Sequence, residues 1–163
     1  MIKKPLTKKI KICPECGTPL IKARIGFKCN CGYTWARAKK TDKAKLIKAC
    51  DDLYSLIIRS LGHCEVCRRS DIQLNAHHIK TRAIMILRYD FKNGVSLCVN
   101  HHDLQRQSAH KAQEWFKAWL TEHRPEDLAY VESKSNIIAH YSVGDLQVIY
   151  QRLKERYDDI QRF

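Results

Sequence analysis

Closely paired cysteines constrain this chain more than any other feature of its sequence. Six of its eight cysteines form three pairs with one or two residues between the partners: Cys13 with Cys16, Cys29 with Cys31, and Cys64 with Cys67. Such spacing lets two thiolates of one turn reach the same metal ion, as structural zinc sites require. Disulfides of a secreted protein are the alternative, but tight pairing favours metal sites in a reducing cytoplasm.

The first two pairs predict a small zinc-binding module. Cys13-Pro-Glu-Cys16-Gly and Cys29-Asn-Cys31-Gly are separated by twelve residues with alternating β-formers, a pattern typical of two metal knuckles on hairpin turns. The module resembles the zinc ribbons of nucleic-acid proteins, although its second knuckle has one residue between the cysteines instead of two. We predict a zinc site on these four thiolates, with a distorted site or a disulfide as alternatives.

A second set of four ligands follows. Cys64-Glu-Val-Cys67 supplies one half, and Cys98 with His101 three residues later supplies the other. Three thiolates and an imidazole are an ordinary zinc set, so we predict a second structural zinc site here. Only Cys50 is then unassigned, and its position on the apolar face of a predicted helix indicates an inert buried thiol.

Positive charge is concentrated at the start of the chain. The formal net charge is +13, and residues 1–48 carry 14 Lys and Arg against only Glu15 and Asp42, which leaves the remaining 115 residues nearly neutral. This distribution predicts one module that binds a polyanion, with a merely soluble basic surface as the alternative. No stretch approaches the roughly 20 apolar residues of a spanning helix, and the first residues lack a signal peptide's apolar segment. We therefore expect no membrane partner.

Hydrophobic periodicity predicts one helix before the second cysteine set and two strands within it. Apolar residues recur at helical spacing over 41–61, with Thr41 as the N-cap and Gly62 as the stop. Residues 74–79 and 95–97 have strand character.

Two helices are predicted in the last third of the chain. The first covers 109–123, capped by Ser108 and ended before Pro125, and the second begins after Ser142. The apolar stripe of the first predicts packing rather than base stacking, and consists of Ala112, Trp115, Phe116, Trp119 and Leu120. His110, at the start of this helix, is predicted to be a solvated side chain, with phosphate contact as the alternative.

Adjacent histidines lie on the first of the two predicted strands. Hydrolysis of a phosphodiester needs a base that deprotonates water and a cation that stabilises the charge on phosphate and leaving oxygen. Successive strand side chains point to opposite faces, so His77 and His78 are expected to divide these tasks, one binding metal and the other addressing water.

Further residues at fixed spacing surround the histidine pair. Asn93 follows His78 by fifteen residues, and His102 follows Asn93 by nine. The segment 64–102, roughly a quarter of the chain, thus contains Cys64-Glu-Val-Cys67, Ala76-His77-His78-Ile79, Asn93-Gly-Val-Ser-Leu-Cys98 and His101-His102. With these motifs it resembles the HNH nuclease family. The resemblance implies a β-hairpin and a helix around one metal, and hydrolytic cleavage of DNA.

The resemblance also implies a role for each side chain. His77 and His102 bind the catalytic metal, and His78 is the general base. Asn93 either orients the loop that bears the base or approaches the metal. Some members add a histidine ligand four residues beyond the last, where this chain has Arg106, so fewer protein groups are expected to hold the ion. Two imidazoles suit Zn²⁺, Ni²⁺ or Mn²⁺ better than Mg²⁺, although substrate oxygens would make Mg²⁺ workable.

These expectations give an α+β fold class with a small zinc ribbon, a ββα-metal HNH core stapled by the Cys₃His zinc site, and flanking helices. The predicted domains are a basic zinc ribbon (1–40), a linker helix (41–62), the HNH nuclease core (63–107) and a C-terminal helical region (108–163).

The resulting hypothesis is a metal-dependent DNA endonuclease of a bacterial or phage-infected cytoplasm. Duplex DNA is the expected partner, with RNA as an alternative substrate, and cutting both strands requires a homodimer or two successive nicks. The alternative function is a non-catalytic zinc-dependent DNA-binding or recombination accessory protein. Candidate phosphate contacts, with a solvated face as the alternative, are Lys80, Arg82 and Arg88 beyond the histidine pair, and Lys28 and Arg37 of the ribbon.

Overall fold

The computed structural model describes residues 12–23, 26–35 and 41–162, and it has the predicted α+β composition of helices and small antiparallel sheets. Contacts divide the chain into two compact units, residues 1–40 and 41–163. Each unit is described by itself. None of the described helices is both long enough and apolar enough to cross a membrane.

The first unit is a three-stranded antiparallel sheet in the order β1-β2-β3. Its strands are β1 (Ile21–Ala23), β2 (Gly26–Lys28) and β3 (Thr34–Trp35). Gly17 and Gly32, which follow the two cysteine pairs, have positive φ of 70° and 93°. Glycine adopts this conformation without steric cost, so each cysteine pair lies in a tight turn as the sequence predicts.

The second unit contains a two-stranded antiparallel sheet of β4 (Leu74–His78) and β5 (Gly94–Cys98). Leu74 lies opposite Cys98, and His78 opposite Gly94. All five residues of β5 are buried, whereas in β4 only His77 is. The sheet therefore presents β5 to the interior and leaves one edge of β4 open to a cleft.

Helix α1 (Asp42–Arg59) begins where its sequence predicts. The Thr41 hydroxyl accepts from the amide of Ala44 at 3.2 Å, and Gly62, with φ of 77°, follows the end of the helix. The helix packs against α4 (Val143–Gln161), whose N-terminus carries a capping box of Ser142 and Asp145. Their contact forms a buried cluster that also takes in Tyr89 from the segment before β5: Cys50, Tyr54, Ile57, Tyr89, Leu146 and Leu153.

The segment predicted as a linker helix thus belongs to the core of the second unit. Cys50 is fully buried as predicted, its Sγ lies 3.7 Å from the Leu146 carbonyl oxygen, and burial raises its pKa to about 11. This thiol is accordingly protonated at neutral pH.

The region after the sheet departs from prediction at two points. Helix α2 spans Gln113–His123 and begins four residues later than predicted, without a side-chain cap from Ser108. The reason is that the amides of Ala109 and His110 donate across the chain to the carbonyls of His101 and His102, at 2.8 and 3.3 Å. These bonds close a loop before the helix can start.

Helix α3 (Pro125–Lys134) follows at once and was not predicted. Pro125 is its first residue, a position where the missing N–H costs nothing and the fixed φ favours a helix start. The apolar stripe of α2 packs as predicted: Phe116 and Leu120 are buried against Val95 and Leu97 of β5, and Trp115 and Trp119 are half-buried beside them.

Gly94 provides a test of this packing. A Cβ added there would lie 2.7 Å from the Tyr54 hydroxyl and would also overlap the side chain of Ile58. Gly94→Ala is therefore expected to lower the free energy of unfolding by about 1–3 kcal/mol, the usual cost of overpacking. Urea denaturation of the two proteins measures the difference.

The matched control is Gly144→Ala in α4, where an added Cβ would meet only the Ser142 hydroxyl at 3.7 Å. Its free energy of unfolding should be unchanged or higher by up to about 1 kcal/mol. Equal losses in both variants would contradict the proposed close contact between α1 and β5.

Candidate functional site

The alternation of strand β4 places its two histidines in different surroundings, as the sequence predicts. His77 is buried, and its ring centroid lies 5.4 Å from that of His102 and 4.9 Å from that of His110. His78 instead stacks on Tyr54, with a centroid distance of 4.9 Å and an angle of 21° between the rings. The two imidazoles therefore belong to separate environments.

His77, His102 and His110 form a group that could hold a metal ion. One ring nitrogen from each lies within 4.8 Å of the others. A short π-helical turn, Asn100–Leu104, carries His102, and the loop closed by the His102 carbonyl carries His110. His110 thus brings a third imidazole to the two that the sequence predicts for this group.

His110 was missed because its proximity is tertiary. It follows His102 by eight residues, and the chain between them is irregular, so no strand or helix periodicity relates the two side chains. His110 reaches the group because residues 105–111 turn back on the π-helical turn. In the sequence, His110 lies at the start of a predicted helix. Nothing at that position indicates that its amide donates to the His102 carbonyl.

Burial keeps the imidazoles of His77 and His102 in the neutral form, which is the form that binds metal. Burial is the first cause that lowers the pKa of His77 to about 3, and neighbouring His110 and His102 lower it further. Burial also lowers the pKa of His102. Both rings are therefore neutral at pH 7, and each has a nitrogen lone pair available to a cation.

Cys64, Cys67, Cys98 and His101 form the second predicted ligand set. The described separations are 3.7 Å from Cys64 Sγ to His101 Nδ1, 3.9 Å between the sulfurs of Cys67 and Cys98, and 3.2 Å from Cys98 Sγ to His101 Nδ1. Ligands of a tetrahedral zinc ion with Zn–S bonds near 2.3 Å lie about 3.8 Å apart. The geometry fits a zinc ion, and His101 takes the fourth position.

The ribbon cysteines also converge on a group that could hold a metal. Cys13 and Cys31 sulfurs lie 3.7 Å apart, those of Cys16 and Cys29 lie 3.3 Å apart, and no disulfide joins any of the eight cysteines. The Thr18 hydroxyl contacts the Cys29 sulfur at 3.1 Å, and this contact is the first cause that lowers the pKa of Cys29 to about 6. The shortened second knuckle therefore does not prevent four thiolates from meeting.

His78 has a defined proton position. Its Nε2 lies 3.0 Å from the carbonyl oxygen of Arg88. A carbonyl oxygen only accepts hydrogen bonds, so Nε2 carries the proton and Nδ1 is the unprotonated nitrogen of the neutral ring. Burial lowers the pKa of His78, which favours this neutral form.

Asn93 is fully buried and bonded only to backbone. Its Nδ2 donates to the carbonyls of Lys80 and Leu87, both at 3.0 Å, and its Oδ1 accepts from the amide of Lys80 at 2.7 Å. The side chain thus ties the two ends of the 80–87 loop together. Of its two predicted roles, this arrangement favours orientation of the loop over approach to a metal.

The predicted phosphate-binding residues differ in their surroundings. The Arg88 side chain is only 15% exposed and makes a two-pronged ion pair with Asp51, at 2.8 and 2.7 Å. Its guanidinium is engaged within the protein, which favours a structural role. Lys28 and Arg82 are exposed, Lys80 is half-buried, and Arg37 lies outside the described residues.

An open cleft of about 840 Å³ collects these elements in the second unit. Its walls include all four histidines of the site: His77, His78, His102 and His110. Lys80, Thr81, Arg82 and Lys117 also line it. The cleft thus joins a candidate metal group, a separate neutral imidazole and several cationic or hydroxyl donors.

Comparisons with known proteins add no assignment: no protein-family model matches the chain, and neither a curated protein nor a solved structure was found to match it.

The three ligand groups predict a metal stoichiometry. The wild-type protein, dialysed against micromolar Zn²⁺ and analysed by mass spectrometry of its metals, should retain three ions per chain. His110→Ala should retain two and bind the third at least about tenfold more weakly, since even partners behind the ligands contribute that much. His140→Ala, an exposed histidine outside the cleft, is the control and should retain three.

Retention of the third ion by His110→Ala with unchanged affinity would remove His110 from the site. A wild-type protein with only two tight ions would leave the three imidazoles without a high-affinity metal.

Proposed function

We propose that this chain is a metal-dependent endonuclease that hydrolyses phosphodiester bonds of DNA by the mechanism of the HNH family, which its central segment resembles. The observation that carries the proposal is the composition of one cleft. Three imidazoles able to hold a cation and a fourth, His78, with a fixed proton position, all line it. A hydrolytic site for phosphodiesters needs this division into charge stabilisation and proton transfer.

In this proposal His77, His102 and His110 hold the divalent cation. The cation, when bound, supplies positive charge to the scissile phosphate and to the departing 3′ oxygen. His78 accepts the proton of the attacking water on Nδ1, because Nε2 is already bonded to the Arg88 carbonyl. Asn93 holds the 80–87 loop, which ends one residue before Arg88, so it is a positioning residue for the base.

The cation that fits three imidazoles is a transition metal. Nitrogen ligands suit Zn²⁺, Ni²⁺ and Mn²⁺, whereas Mg²⁺ prefers oxygen. The third imidazole strengthens this preference beyond the two-histidine set expected from sequence. The proposed cofactors are therefore two structural zinc ions and one catalytic ion of this group.

DNA is the proposed partner because of the basic charge of the first 48 residues. The cleft itself has no net charge from its acidic and basic side chains, because Lys80, Arg82 and Lys117 are matched by three carboxylates. The ribbon would bind backbone phosphates without sequence preference, and Lys80 and Arg82 would contact the strand at the cleft. The family resemblance implies products with 5′-phosphate and 3′-hydroxyl ends. One site cuts one strand, so the expected first product on a plasmid is a nick.

The base assignment is tested by plasmid relaxation with Mn²⁺, Ni²⁺ or Zn²⁺. His78→Ala should lower the nicking rate by about 100-fold or more, the usual contribution of a general base, while DNA affinity stays unchanged. The control is again His140→Ala, which should nick like the wild type. Nicking by His78→Ala at the wild-type rate refutes the assignment, and a wild type that binds DNA without cutting it supports the alternative accessory function.

A second prediction concerns the ion pair between Asp51 and Arg88, the residue whose carbonyl bonds to His78. Asp51 pairs with Arg88, whose carbonyl fixes the proton of His78, so Asp51→Asn should lower kcat by about tenfold and leave KM near its wild-type value. The matched control is Asp52→Asn on the same helix, where the exposed carboxylate pairs only with Lys48 among the described ion pairs. Equal kcat in both variants would show that the Arg88 ion pair does not position His78.

A further inference from the structure

One carboxylate bridges two lysines at the cleft. Glu132 Oε1 lies 3.7 Å from Lys80 Nζ and 3.4 Å from Lys117 Nζ. The three residues come from three different elements: the loop after β4, helix α2 and helix α3. All three also line the cleft that contains the four histidines. The contact is therefore part of the cleft wall and not an isolated surface pair.

The charges of Lys80, Lys117 and Glu132 do not balance. Two ammonium groups share a single carboxylate oxygen, so one positive charge is left without a counter-ion within the trio. The side chains are partly exposed, at 32% for Lys80, 62% for Lys117 and 41% for Glu132. Exposed ion pairs at such distances contribute little to stability, and the lysines can exchange their partner at small cost.

The backbone of Lys80 is held independently of this contact. Its amide and carbonyl are both bonded to the Asn93 side chain, at 2.7 and 3.0 Å. Loss of Glu132 would therefore free the Lys80 ammonium without releasing the loop that carries it. The backbone of Lys117 is held by helix α2, so it also keeps its position when Glu132 is removed.

We infer that Lys80 and Lys117 form a phosphate-binding pair and that the Glu132 carboxylate occupies this pair until a nucleic-acid backbone displaces it. The inference rests on the proposed function only in that the displacing anion is a nucleic-acid phosphate. Glu132 thereby sets the affinity and the salt dependence of binding at the cleft. It is a specificity-determining residue that favours polyanions over single anions, because only a chain of phosphates competes well with a tethered carboxylate.

The test measures binding, without cleavage, in the full-length zinc-loaded chain carrying His78→Ala. Fluorescence anisotropy with a labelled duplex of about 20 bp is recorded between about 50 and 200 mM KCl. Glu132→Gln should tighten binding about three- to tenfold and increase the slope of log affinity against log salt by about 1. Glu126→Gln, which removes the same charge from an exposed site on the same helix outside the cleft, should change affinity less than about twofold.

Two further variants separate a local effect from a change of net charge. Lys117→Gln alone should weaken binding about threefold, and Lys80→Gln with Lys117→Gln in the Glu132→Gln background should abolish the gain. Equal tightening by Glu132→Gln and Glu126→Gln, or a gain that survives loss of both lysines, overturns the inference. Circular dichroism and zinc content establish that each variant is folded.

The outcomes distinguish this inference from the proposed function. If the wild type nicks DNA and the two glutamate variants bind alike, the nuclease proposal stands and the role of Glu132 is refuted. If Glu132→Gln tightens binding as expected and no metal supports nicking, the phosphate pair stands and the hydrolytic proposal fails.

Discussion

The cluster of Cys64, Cys67, Cys98 and His101 is the constraint on which the second unit depends. Cys98 ends β5, the cysteine pair lies in the turn before β4, and His101 lies in the π-helical turn that follows the sheet. A metal bound by all four would join these elements, and its binding energy would add to the folding energy of a unit whose buried residues fall into two modest clusters. Since His102 is the next residue, fixing His101 also fixes the direction from which His102 reaches His77.

Functional geometry in this unit arises from adjacent residues that face opposite ways. His101 joins the thiolate cluster while His102 joins the imidazole group, and His77 enters the same group while His78 stacks on Tyr54. Each pair of adjacent residues contributes to two sites from one backbone segment, so strand β4 and one turn position all four of these histidines. The cost is that the fold tolerates no shift of register, because a slip of one residue would exchange the two faces of β4.

The sequence was sufficient to predict those elements that depend on residues close to one another in the chain. The caps at Thr41 and Ser142, the two strands, the cysteine groups and the opposite faces of the histidine pair were all predictable, since each depends on residues close in sequence. His110, the delayed start of α2 and the burial of α1 against α4 were not predictable, because they depend on contacts across the chain. Pro125 was ambiguous, since proline both ends one helix and begins the next.

The two ligand sets of the second unit differ in the charge that a bound divalent cation would present. Three thiolates and one imidazole around Zn²⁺ carry a net negative charge, which repels phosphate and leaves no open coordination position. Three imidazole ligands add no negative charge and would leave the full charge of a divalent cation undiminished, with further positions for oxygen ligands. Burial enforces this difference, because it disfavours the imidazolium form of His77 and would also disfavour a carboxylate in its place. Under the proposed function, an ion held by the three imidazoles would itself attract the phosphate. The surrounding protein would then need few fixed cations, which is compatible with the bridging carboxylate of Glu132 at the cleft wall.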